Sequence, residues 1–123
     1  PRRAPAPPGG SRCRSRCERG EEELAVKRWD RLAQLNNEFH EAVARASGNS
    51  QLPFLLNLYA KRITWMFARS AERRGPVAWV EHAAIVEAVA GRDPDLAERR
   101  AREHIEHSRQ EFLVEIGETP LDS

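Results

Sequence analysis

Leu32, Leu35, Phe39 and Val43 recur at intervals of three and four residues, the spacing that places side chains on one side of an α-helix. The same spacing carries Leu52, Leu55, Leu56, Tyr59, Ile63 and Phe67, then Trp79, Ala83, Val86 and Val89. A last stripe holds Leu96, Ala97, Ala101, Ile105 and Phe112. Nowhere do apolar and polar positions alternate as in a half-buried strand, and no segment repeats. Punctuation divides the stripes into four predicted helices. The first begins at Glu21 or Asp30 and runs to Ser47, stopping at Gly48, a natural left-handed terminator. The second follows Asn49, accommodates Pro53 in its first turn and runs to about Arg73. The third opens on Gly75-Pro76 and ends at Gly91; the fourth opens on Asp93-Pro94, an N-cap followed by a first-turn proline, and ends near Gly117. Such short connections make consecutive helices antiparallel neighbours. The predicted fold is all-α, an antiparallel bundle of about four helices.

Residues 1–20 break this pattern. They hold four Pro, three Gly and no large aliphatic side chain, so they are expected to form a disordered Pro/Arg-rich arm. A helical domain over 21–117 and a short tail over 118–123 complete the predicted organisation. At 123 residues the chain suits one domain with a single modest core. Its formal charge of +1 is uneven. The first 20 residues carry six Arg against one Glu, a net +5, and the remainder carries 14 Lys and Arg against 18 Asp and Glu, a net −4. A mildly acidic body does not offer the basic surface that nucleic acid requires. No run approaches the ~18 apolar residues of a membrane span, and no signal peptide opens the chain, so a cytoplasmic protein is expected. Cys13 and Cys17 both lie in the arm, where a lone C-x3-C is read as two incidental thiols.

The informative positions are the polar ones that interrupt the stripes. At ~100° per residue, Asn36 and His40 lie about 40° apart, on the side of Leu32, Phe39 and Val43. His82 sits between Trp79 and Val86, and His104 lies one turn after Ala101, whereas His107 is expected to face solvent among Glu103, Glu106 and Glu111. A single histidine on an apolar face is usually a core residue bonded to backbone. Three inward imidazoles and an inward amide on three helices each need a partner, and one divalent ion of the Zn, Ni or Mn class satisfies all four. Such a site keeps one or two positions open for an exogenous ligand. Neither the Glu-x-x-His of di-iron bundles nor the His-Glu-x-x-His of zinc proteases occurs, and apolar residues (Leu52, Phe54, Ile63, Trp65, Trp79) are on hand as walls. A receptor is therefore expected rather than an enzyme. Two other readings stay open: a metal-dependent bundle enzyme resembling the DinB type, and a plain helical interaction module with structural histidines. The first of these expects His-x-x-x-His on the last helix, where this chain has His104-x-x-His107.

"LNNEFHEAVARASGN" followed by "EHAAIVEAVAGRDPDLAERRAREHIEH" resembles the C-terminal effector domain (FCD domain) of GntR-type transcriptional regulators of the FadR subfamily, over roughly residues 30–113. The resemblance implies metal ligands at Asn36, His40, His82 and His104, the four residues singled out by the stripes. It further implies a pocket for a small carboxylate effector above the metal, with Arg62 pairing the carboxylate and Tyr59 and Trp65 as walls. It also implies a homodimer that reaches operator DNA only through a winged helix-turn-helix. That module, and the first one or two helices of the effector domain, are not expected in these residues.

Overall fold

A computed structural model describes residues 10–46 and 51–117. Among them are four helices and no strand: α1 (Gly10–Ala25), α2 (Trp29–Ala46), α3 (Gln51–Ala90) and α4 (Pro94–Glu115). The all-α expectation holds. Gly48 and the predicted tail over 118–123 lie outside the described residues.

The expected disordered arm does not hold for residues 10–20, which form most of α1. Cys13, Cys17 and Gly20 lie along one buried side of this helix, with half-buried Leu24 continuing it. The Trp79 indole lies against that side: a Cβ built on Gly20 would come within 2.0 Å of the ring, and Trp79 Nε1 donates to the Cys17 carbonyl at 2.9 Å. Glycine here allows a close approach, and the two thiols act as small apolar side chains in the core. The burial that an arm of its own could not achieve is supplied by a tryptophan some sixty residues away. Lys27 ends α1 in the left-handed region (φ 59°), with its N–H bonded to the Leu24 carbonyl and the Arg28 N–H to that of Glu23. This is the Schellman closure, made without glycine.

Two separate helices were expected across 50–91, and one helical run is found, with Pro76 inside it. The run is not straight. Leu52 and Ile85 line the same cavity, although 33 residues of straight helix would separate them by about 50 Å. Along its first arm the numbering opposes that of α2: Leu52 shares a cavity wall with Ala46, Leu56 with His40, and Ala60 accepts a hydrogen bond from Asn37. Along its second arm the numbering runs with α2, Gly75 meeting Leu32 and His82 stacking on Phe39. The chain reverses near Gly75-Pro76. Proline withdraws a helical N–H there, and Gly75 lets Leu32 Cδ2 within 2.9 Å of where a Cβ would stand. The punctuation thus marks a change of direction rather than a gap.

The end of α3 is closed by Arg92 in the left-handed region (φ 56°), not by Gly91, with Asp93 N–H bonded to the Ala88 carbonyl. As predicted, Asp93 caps α4, its carboxylate accepting from the Leu96 N–H at 3.0 Å ahead of Pro94. The core gathers Cys13, Leu32, Leu35, Phe39, Ala78 and Trp79. Helix α4 approaches α3 closely at the backbone level but neither α1 nor α2, so side chains bridge the space between α2 and α4.

Candidate metal and effector site

Three imidazoles fill part of that space. His40 comes from α2, His82 from the second arm of α3, and His104 from the middle of α4. His104 Nε2 lies 3.1 Å from His82 Nε2 and 3.3 Å from His40 Nε2, and one ligand nitrogen from each ring falls within 4.8 Å of the others. At metal–nitrogen distances of 2.0–2.1 Å, two nitrogens on one ion are about 2.9 Å apart at a right angle and about 3.4 Å apart in a tetrahedron. Both separations around His104 lie in this interval. His82 is fully buried and stacks on Phe39 with ring centroids 4.2 Å apart.

The electrostatics favour neutral rings. Burial holds His40 down to about 3, with a further contribution from the nearby His104. Burial likewise pushes His82 well below its ordinary value, reinforced by His40, His104 and Arg74. For His104 burial is again the leading cause and outweighs the opposing pull of Glu81. Neutral imidazole is the form that ligates metal. Glu81 accepts from His104 Nδ1 at 2.8 Å, which leaves the Nε2 lone pair facing the other two rings. Burial alone would raise the Glu81 carboxyl, but bonds from Arg74, His104 and His107 hold it below the usual carboxylate range.

Two buried polar atoms beside these groups have no protein partner, Asn36 Oδ1 and His82 Nδ1. Asn36 lies one turn before His40 and lines the same cavity as His40 and His104. Its unpaired carbonyl oxygen is a ligand-type atom of the kind left to an ion or water. The donor set therefore fits a divalent cation held by Asn36, His40, His82 and His104. His82 Nδ1 gains no partner in that arrangement; the ring is held by its stack on Phe39.

The cavity beside the imidazoles has a volume of about 340 Å³. Its polar lining comprises Asn36, His40, Ser70, Arg74, His104 and Ser108, with Arg109 at the margin. Leu56, Ile63, Met66, Phe67, Ile105 and Phe112 supply the rest. The expected effector residues do not line it. Arg62, Tyr59 and Trp65 all lie on exposed parts of the first arm of α3, and Trp65 instead packs edge-on to Phe112 and under Arg69. Of the expected walls, Ile63 alone belongs to this cavity, Leu52 lines a groove at the other end of α4, and Trp79 serves the α1 contact.

Arg74 was not anticipated. It is 4% exposed, pairs with Glu81, and donates to Ser108 Oγ at 3.0 Å and to the His104 carbonyl at 3.4 Å, while its Nε lacks a partner. Glu81 was also passed over, and it joins Arg74, His104 and His107, the last at 2.7 Å although His107 itself is exposed as expected. The signal was present in the periodicity: Arg74 shares the helical stripe of Ala71, Ala78 and Ile85, where an arginine needs a buried partner.

A family model described as FCD domain matches residues 7–107, and so includes all four candidate ligands and the whole of α1. No curated protein matches the chain, and no solved structure does.

Proposed function

The chain belongs to the FCD domain family, and from that premise we propose that it senses a small organic acid at a divalent metal in the bundle, for a GntR-type regulator of the FadR subfamily. FCD domains are regulatory, effector-binding domains and not enzymes. One observation carries the finer reading: three imidazole nitrogens at ligand spacing, with an unpartnered amide oxygen, beside a cavity large enough for a small molecule.

In this reading Asn36, His40, His82 and His104 hold the ion, and Glu81 fixes the His104 ring through Nδ1. The ion supplies a positive anchor for a carboxylate. Ser108, Ser70 and the buried Arg74 are the polar groups placed to orient the rest of the ligand. Because α2 and α4 meet through side chains alone, a ligand seated between them couples the position of α4 to occupancy. Paired domains would pass that shift to winged helix-turn-helix modules on an operator, in a cytoplasmic homodimer. Among the described residues no helix is long and apolar enough to cross a membrane.

Elemental mass spectrometry of the purified protein and of the His40→Ala/His104→Ala double variant tests the metal. Near-stoichiometric metal lost in the variant is the expected result; metal-free wild-type protein that takes up none of Zn²⁺, Ni²⁺ or Mn²⁺ would overturn it. A carboxylate at 100 times its dissociation constant should then add about 2.7 kcal/mol of stability.

A further inference from the structure

The two halves of the cavity differ in chemistry, and the division follows the elements. Every residue that the first arm of α3 contributes between Leu56 and Phe67 is apolar: Leu56, Ile63, Met66 and Phe67. Phe112 of α4 stands among them. The polar lining is contiguous at the other side, where His40 meets His104 and Arg74 bonds both the His104 carbonyl and Ser108. Within this polar group the guanidinium of Arg74 is already engaged by Glu81. A second carboxylate or several hydroxyls would find no donors among Leu56, Ile63, Met66 and Phe67, and their desolvation there would go uncompensated; Ser70, further along the same arm, is the one hydroxyl that α3 adds to the cavity. An aliphatic or aromatic body would be removed from water there instead.

We infer that the ligand is an amphipathic monocarboxylate, its carboxylate at the Asn36–His40–His104 side and an apolar body against Ile63, Met66, Phe67 and Phe112. This rests on the metal-assisted reading and narrows it to one ligand class. Dicarboxylates, tricarboxylates and sugar acids are disfavoured by this apolar stretch rather than by the anchor. Ile63 and Met66, both half-buried, are the specificity-determining positions, since they line the cavity without belonging to the buried core.

The test is a calorimetric titration of the Zn²⁺-loaded full chain with acetate, butanoate, hexanoate, 4-phenylbutanoate, succinate, citrate and hexan-1-ol. Each methylene added from acetate to hexanoate should tighten binding about fourfold. Hexanoate should exceed succinate and citrate, and hexanol should bind far more weakly than hexanoate. Ile63→Ser should flatten the chain-length series, and Met66→Gln should weaken it, which keeps the test intact if the serine variant fails to fold. A flat wild-type series, or tighter binding of succinate or citrate, overturns the inference and leaves carboxylate sensing standing, whereas hexanol equal to hexanoate overturns both. Retained zinc with no binding of any carboxylate overturns both.

Discussion

Glu81 holds three partners at once, and its loss should be felt in two separate ways. Glu81→Gln removes the carboxylate that receives the His104 Nδ1 proton and leaves the buried Arg74 without its counter-charge. Metal affinity should fall by about 10–100-fold, read by competition with a chromophoric chelator, and the metal-free fold should also weaken. An unchanged affinity would show that Glu81 serves Arg74 alone. The histidines set a pH dependence of their own. His40, His82 and His104 are all held below their ordinary values by burial, so the unfolded chain binds protons that the fold refuses. Stability of the metal-free protein is therefore fully present above about pH 6.5 and falls as the pH drops, with His40 contributing down to its folded value of about 3. Thermal unfolding between pH 7.5 and 5.0 should show a steady decline, steeper than in His40→Ala; a flat profile would contradict neutral imidazoles. The convergence of His40, His82 and His104 and the burial of Asn36 were legible because a polar residue on an apolar stripe declares itself. Arg62, Tyr59 and Trp65, carried over from the family resemblance, do not line the cavity, because a matching position along a helix does not say which neighbour its side chain faces.

Helix α1 shows where pattern reading fails. Its buried side is made of two thiols and a glycine, none of which registers as an apolar stripe, and its partner Trp79 is remote in sequence. The small residues are what permit the indole to lie against the helix backbone. Gly20→Ala should therefore destabilise the fold by about 1–3 kcal/mol through overpacking, although alanine is the better helix former. Burial raises the Cys13 thiol above its ordinary value, and burial with Glu21 and Glu18 nearby pushes Cys17 up to about 11. Both thiols should resist maleimide labelling at pH 7.5 in the native protein and become labelled in Gly20→Ala, with matching loss of Trp79 burial by fluorescence. Rapid labelling of the wild type would show that α1 is undocked in solution. In α3 the opposite balance holds: Gly75-Pro76 predicts a gap between two helices, whereas the backbone stays helical through it and only its direction reverses. A dipeptide signal fixes where regular geometry is perturbed, and tertiary contacts with Leu32 and Trp29 decide how far the chain turns.

The whole domain leaves an apolar face largely exposed among the described residues, although Trp65 touches Phe112 and Arg69 at one end of it. On the first arm of α3, Phe54, Leu58 and Trp65 project within about 40° of one another, and all three are more than half exposed. The face points away from α2, and Leu55 extends it toward the side. Arg62 lies beside the stripe and bears on what can cover it. If a second copy packs antiparallel about a two-fold axis at Leu58, Phe54 of one copy meets Arg62 of the other, a cation–π pairing. The two Arg62 charges then lie about 12 Å apart along the helices and do not oppose each other. The face is self-complementary in this arrangement, which supports the homodimer proposed for the domain and gives Arg62 a role at the interface instead of in the pocket. Light scattering should return twice the 14.0 kDa chain mass for the wild type and a single chain mass for Leu58→Glu, which places two carboxylates against each other on the axis. Arg62→Glu should weaken the dimer less, since it removes the pairing with Phe54 but leaves Leu58 in contact. A monomeric wild type at tens of micromolar would leave this face to a different partner, and a Leu58→Glu protein that remains dimeric would move the interface elsewhere. Metal content should be unchanged in both variants, because neither residue lines the cavity that holds the histidines.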